Sequence, residues 1–159
     1  MAILTVFTPT YNRAYTLHKC YESLRRQTNK DFVWLIIDDG STDNTKELID
    51  SWLKNDNGFE IRYAYKENSG MHTGHNKAYE LIDTQLNVCI DSDDYMPDDA
   101  VESILSFWEK NRDNNYSGII ALDMFENGEI IGKKLPEQKS ITLSGYYYNG
   151  GKGDKKLIY

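Results

Sequence analysis

The sequence predicts an α/β protein, a three-layer α/β/α sandwich on a mainly parallel sheet. Two observations predict it. Short apolar or β-branched runs alternate with segments of helical period at close spacing, the pattern of strands joined by crossover helices. Three of those runs end in polar clusters, as strands do where such a sheet presents its ligand-binding edge.

Ala2 to Thr8 is an apolar run closed by Pro9 and reads as the first strand. Leu17, Cys20, Tyr21 and Leu24 recur at i, i+3, i+4 and i+7, one face of a helix. Phe32 to Ile37 is the second strand and stops at the acidic turn Asp38-Asp39-Gly40-Ser41. Asn44 with Glu47 predicts a capping-box helix start, with Leu48, Ile49, Trp52 and Leu53 as its apolar face. Ile61 to Tyr65 is the third strand and Asn76 to Ile82 a short helix. Leu86 to Ile90 is the fourth strand, ending in Asp91-Ser92-Asp93-Asp94. Pro97 suits the first turn of a helix whose face is Val101, Ile104, Leu105 and Trp108. Ser117 to Phe125 predicts a fifth strand, and Asn127-Gly128 a hairpin turn into Glu129 to Gly132. Lys133 to Tyr159 shows no strong periodicity, so residues 1–132 read as one unit and 133–159 as the start of another.

Composition narrows the function. The chain has 159 residues, 40% of them apolar and 27% charged, enough for one core and unlike a disordered segment. Its 25 acidic against 18 basic side chains give a net charge of -7, which argues against a surface that tracks nucleic-acid phosphates. Cys20 and Cys89 have no metal-ligand spacing and are too few for a disulfide framework. No apolar run approaches the ~20 residues of a membrane span, and residues 1–13 lack the basic start of a secretory signal. The expectation is a cytoplasmic protein.

The three strand-end clusters carry the chemistry. Asp91, Asp93 and Asp94 lie within four residues and repel one another unless a cation or hydrogen-bond donors compensate them. Hard cations such as Mg2+ or Mn2+ prefer such oxygen ligands and share them with substrate phosphates. Asp98 and Asp99, by contrast, suit the positive end of the following helix. Asp39 can accept from a base N–H or a ribose hydroxyl, although Asp, Gly and Ser are also ordinary turn formers. Pro9 fixes the backbone after the first strand, Tyr11 offers a stacking face, and Asn12 and Arg13 offer donors near a helix start. His18 falls on the first helix and reads as structural. His72 and His75 lack a third nitrogen or sulfur ligand and read as loop donors to phosphate or sugar, with Asn76 and Lys77 beside them.

Together these segments resemble the donor-binding portion of family 2 glycosyltransferases with the GT-A fold. The likeness runs through Leu4 to Arg13, Leu24 to Thr28, Asp31 to Asp43, Asn68-Ser69-Gly70 and Asp91 to Asp98. The resemblance implies that Thr8, Pro9, Tyr11 and Asp39 hold the base and ribose of a nucleotide-diphospho-sugar, with Asn12, Arg13 and Gly70 beside them. Asp91-Ser92-Asp93 looks like the family's Asp-x-Asp motif, and Asp93 and Asp94 are the implied ligands of Mn2+ or Mg2+. Gly74-His75-Asn76 stands where many members have Ala-Arg-Asn, so His75 would replace a diphosphate-facing arginine.

The implied activity is inverting transfer of a sugar, UDP-sugar favoured, to a glycan or lipid-linked acceptor in polysaccharide biosynthesis, peripheral to a membrane through that acceptor. The family's base comes from a later acceptor portion, and nothing between Glu126 and Tyr159 matches its motif. Glu126, Glu129 and Asp154 are the carboxylates to inspect, and the chain reads as a donor portion that binds donor but transfers slowly. A non-catalytic nucleotide-sugar binding module is the alternative. A receiver-like domain would need an acidic pair after the first strand, where Thr-Pro-Thr-Tyr-Asn stands instead. A phosphatase would carry its Asp-x-Asp there too, not after the fourth strand.

Overall fold

The computed structural model describes residues 2–134, 140–151 and 155–159. Its elements run β1 (Leu4–Thr10), α1 (Ala14–Arg25), β2 (Phe32–Asp38), α2 (Thr45–Trp52), β3 (Glu60–Tyr65), α3 (Met71–Leu81), β4 (Leu86–Cys89), α4 (Ala100–Asn111), β5 (Ile119–Leu122), α5 (Leu143–Tyr148) and β6 (Lys155–Ile158). One six-stranded sheet has the order β3-β2-β1-β4-β6-β5. Neighbours among β1 to β4 pair in parallel, and β6 lies antiparallel to both β4 and β5.

The sheet is covered unequally. Leu4, Val6, Phe32, Trp34, Ile36, Leu86 and Val88 face the larger core, where α1, α2 and α4 contribute Leu17, Cys20, Leu24, Ile49, Trp52, Val101 and Trp108. Tyr21 stacks on Trp52 at 4.2 Å within it. The alternate residues Phe7, Leu35 and Ile37 face Ala78 of α3 in a smaller core. A strand buried on both faces reads as a continuous apolar run, and β2 is buried along all seven residues.

The expected parallel sheet is present, with local corrections. The expected fifth strand over Ser117 to Phe125 is confined to Ile119–Leu122. The Asn127-Gly128 turn forms, with Gly128 at φ 85°, but pairs its arms through a single bridge, Met124 to Ile130, rather than through a strand over Glu129 to Gly132. α3 begins at Met71, five residues before Asn76, which puts His72 and His75 on a helix instead of a loop. The N-terminus of α2 is satisfied by Asp43 rather than by an Asn44 capping box: Asp43 Oδ1 accepts from Thr45 N at 3.1 Å and from the Thr45 hydroxyl at 2.6 Å. β6, beyond the boundary expected after residue 132, is a strand of the same sheet.

Candidate functional site

The strand order reverses at β1. β2 and β3 lie on one side of it and β4 on the other, so a crevice opens at the carboxyl ends of β1 and β4. β1 stays paired with β2 to Thr10, whereas β4 leaves it after Cys89 opposite Phe7. Carbonyls of odd-numbered β1 residues face β4, as Phe7 O does in accepting from Ile90 N at 2.9 Å. The nitrogen of Pro9 therefore faces the opening, where no partner strand needs an N–H.

Two loops are clamped beside that opening. Asn12 adopts φ 52°, and its Oδ1 accepts from Thr42 N at 2.8 Å and Asp43 N at 3.2 Å, while its own N–H donates to Ser41 Oγ at 2.9 Å. Asp43 Oδ2 in turn accepts from Ala14 N at 3.2 Å. Burial works against this carboxylate, yet the Thr45 hydroxyl and the Ala14 and Thr45 N–H groups hold it below its ordinary range. Asn12, expected to meet donor, thus ties the β1–α1 loop to the β2–α2 loop.

The Asp38-Asp39-Gly40 turn splits its two carboxylates. Asp38 is buried and accepts from Ser41 N and the Tyr63 hydroxyl, both at 2.8 Å. Asp39 is buried too and accepts from the Lys66 ammonium, from Ser69 N at 3.1 Å and from Gly70 N at 2.9 Å. Burial alone would raise the Asp39 carboxyl, but Lys66 and the two N–H groups hold it below its ordinary range. Gly40, at φ 82°, brings the turn so close to Asn68 that a Cβ would lie 2.7 Å from Asn68 N. Gly70, at φ 93°, starts α3 from this contact.

The Asp91–Asp94 loop is pinned from behind. Ser23 Oγ accepts from Met96 N at 3.2 Å. The buried Gln27 donates to Pro97 O at 2.6 Å and accepts from Val101 N at 2.9 Å. Ser23 lies in the last turn of α1 and Gln27 just past its end, so this stretch of chain fixes the acidic loop against the helix that leaves β1. Asp98 pairs with Arg26 at 3.1 Å and takes no part in the opening.

The acidic side chains then diverge. Asp93 reaches Arg13 across the opening at 3.3 Å. Asp91 and Asp94 turn to Lys156 of β6 at 3.8 and 3.3 Å, and Asp123, just past β5, completes that group at 4.0 Å. Burial lowers the affinity of Lys156 for its proton, but the three carboxylates outweigh it and raise it. Ser92 is buried. The Tyr95 phenol is raised by partial burial first and then by the negative charge of Glu126.

A cleft of about 260 Å³ opens beside Asp91 and Lys156, walled by Phe7, His75, Tyr79 and Cys89. The His75 ring meets Phe7 edge-on at 5.4 Å. Burial pushes the Cys89 thiol up to about 12, so it stays neutral there. Asn76 is exposed on α3, away from this wall.

Of the expected donor residues, Pro9, Tyr11, Arg13, Asp39, Gly70 and Asp93 fall around one opening, and His75 and Asp91 share the adjoining cleft. Thr8 does not present its side chain: its buried hydroxyl accepts from Trp34 Nε1 at 3.0 Å and contacts Cys20 Sγ at 3.8 Å. His18 lies on α1, as expected, and on its exposed face. Asp154 lies outside the described residues. The reading missed Lys66, although its place just after β3 on the same rim was a signal. It also missed Lys156, for which an aperiodic segment offered none.

The implied Mn2+ or Mg2+ meets a suitable donor set but not a preassembled one. Asp91, Asp94 and Asp123 supply the oxygen atoms such ions prefer, and they already surround one cationic group. Among the described residues no three His, Cys, Asp or Glu side chains are grouped to hold a metal directly. Asp94 is one of these three carboxylates, while Asp93 pairs with Arg13.

Comparison with known proteins follows the same lines. The model of the family described as "Glycosyl transferase family 2" matches residues 5–155. An uncharacterized glycosyltransferase of Rickettsia felis is 39% identical over 108 residues, 68% of this chain and 17% of the relative, so the chain spans under a fifth of that protein. Residues 1–349 of S. aureus TarS, solved in complex with UDP-GlcNAc, share the fold at TM-score 0.72 and 21% identity, over 100% of this chain and 45% of that one. A Pyrobaculum calidifontis mannosyltransferase solved with GDP-Man and Mn2+ aligns at TM-score 0.62 and 21% identity, over 67% of this chain and 32% of that one. The sheet is the one the sequence predicted, the motifs stand at its carboxyl edge, and the family model spans nearly the whole length: this chain belongs to glycosyl transferase family 2.

Proposed function

We propose that this chain binds a nucleotide-diphospho-sugar across the carboxyl ends of β1, β2 and β4 and serves its transfer, with inversion, to a glycan or lipid-linked acceptor. One observation carries the reading: the Tyr11–Arg13 loop is flanked by the Asp39 turn, through Asp39 N to Thr10 O at 2.9 Å, and by Asp93, through Arg13. Tyr11, 46% exposed, offers its ring to a base, and Asp39 stands beside it as the acceptor for base or ribose. The cleft receives the diphosphate and sugar, with His75 and Lys156 in its wall and Arg13 at the adjoining opening as positive or donating groups. A divalent cation on Asp91 and Asp94 would neutralise the diphosphate leaving group. UDP is favoured, on the resemblance and on the UDP-GlcNAc held by a structural neighbour. Polysaccharide assembly at a membrane surface is the setting this chemistry suits; among the described residues no helix is long and apolar enough to cross one.

The test is calorimetric titration of UDP, GDP and their sugars, with and without Mn2+. Micromolar UDP-sugar binding that Mn2+ tightens supports the reading, and no binding of any of them contradicts it. Turnover of a bound donor with a saccharide acceptor separates the enzyme from a non-catalytic binding module.

A further inference from the structure

Lys156 lies on β6, the one antiparallel strand among the described residues, in register with Ala121 of β5. That strand delivers its ammonium between two stretches of chain: the loop after β4, with Asp91 and Asp94, and the residue after β5, Asp123. The side chain is only 20% exposed, so the ammonium is held among the carboxylates rather than on the open surface. Asp93, the remaining carboxylate of the motif, is drawn to Arg13. Each acidic group of the loop therefore faces a protein cation: Arg13 for Asp93, and Lys156 shared by Asp91 and Asp94.

We propose that Lys156 is a resident counter-cation that holds Asp91, Asp94 and Asp123 together, and that a divalent cation gains Asp91 and Asp94 only as Lys156 gives them up. This rests on the donor-site reading above. The electrostatics require some cation at all times. Three carboxylates around one point repel, and the ammonium offsets only one of their charges. What remains is attractive to a doubly charged ion, but that ion must approach within about 2.0–2.6 Å of oxygen atoms that the ammonium already faces. Ammonium and metal repel at such range, so the metal must displace Lys156 from the carboxylates, and that displacement lowers cation affinity.

The released ammonium has a destination. Lys156 also walls the cleft it shares with His75 and Asp91, where the diphosphate belongs. One cation is exchanged for two on the arrival of metal and donor: the metal on the carboxylates, the lysine on a phosphate oxygen. Lys156 thus couples the two binding events, suppressing metal uptake when no anion is present to receive it.

The experiment is a Mn2+ titration of the whole chain, read by the paramagnetic signal of the free ion, for the wild type, Lys156→Met and Lys156→Arg. Methionine keeps the stem and removes the charge, and Lys156→Gln replaces it should the methionine protein not fold. The expected result is Mn2+ binding at least about 10-fold tighter in Lys156→Met, the effect of one unit charge at a partly screened site, with Lys156→Arg within about threefold of wild type. UDP should tighten Mn2+ binding in the wild type and do so less in Lys156→Met. Equal or weaker Mn2+ binding in Lys156→Met overturns the proposal, as does no uptake by either protein. Tighter Mn2+ binding in Lys156→Met with no UDP binding by any variant upholds the role of Lys156 and removes the donor reading instead.

Discussion

The ammonium of Lys66, half-buried, lies on the buried carboxylate of Asp39 and joins the end of β3 to the end of β2. The same carboxylate gathers the N–H groups of Ser69 and Gly70, so one side chain organises the turn that leads into α3. Removing one partner of such a pair leaves an uncompensated buried charge, which costs about 3–5 kcal/mol. Lys66→Met should therefore lower stability to urea unfolding by about 3 kcal/mol at pH 7; a loss within 0.5 kcal/mol, the range of an ordinary surface change, would show that the pair is not held in solution.

The same pair gives acid sensitivity. Asp39 is held below its ordinary value of 3.8 despite its burial, because its hydrogen bonds and Lys66 favour the charged form. The contribution is fully present above the unfolded value and is lost as pH falls through the lower folded value. Thermal unfolding between pH 7 and pH 2 should show the gap between wild type and Lys66→Met constant down to about pH 4 and narrowing below it. A gap that widens with acid would reverse the sign argued here.

Gly40→Ala tests the contact between the acidic turn and the Asn68–Gly70 segment. An alanine at φ 82° carries a left-handed penalty of about 1–2 kcal/mol, and its Cβ would meet Asn68 N at 2.7 Å, a backbone atom that cannot move aside cheaply. A loss of at least about 2 kcal/mol is expected by chemical denaturation, together with weaker UDP binding as Ser69 and Gly70 draw away from Asp39. Unchanged stability would mean that the turn adopts another conformation.

Thr8→Val separates a structural hydroxyl from a ligand-binding one. Valine keeps the shape and leaves Trp34 Nε1 without its buried acceptor, which costs about 1–3 kcal/mol. UDP affinity should stay within about twofold of wild type. Retained stability with lost affinity would return Thr8 to the donor site.

This residue also shows how far the sequence could be read. Thr8 stands in the motif that names the β1 end, but strand alternation turns its side chain inward with Leu4 and Val6, and only the position of Trp34 reveals its partner. The strands β1 to β4 were legible because each is a short apolar run with a turn signal after it. The early start of α3 was not, since Gly70 and Gly74 read as loop; packing of Gly74 on Pro9 and Ile37 overrides glycine's weak helix propensity. β6 was not legible either: Lys155–Ile158 has no alternating pattern, and its partners β4 and β5 are distant in sequence. The acidic motif was plain, but the cations that divide it, Arg13 and Lys156, are set by topology and not by spacing.

The central claim, that the carboxyl edge of β1 is a nucleotide site, is tested most directly by titrating UDP into wild type and Tyr11→Ala. Tyr11 is exposed, so its removal should leave the unfolding temperature within about 1 °C. Base stacking on an aromatic ring contributes about 1–3 kcal/mol. The account predicts saturable UDP binding by the wild type and affinity about 10-fold weaker in Tyr11→Ala; equal affinity in both proteins, or no UDP binding by the wild type, would contradict it.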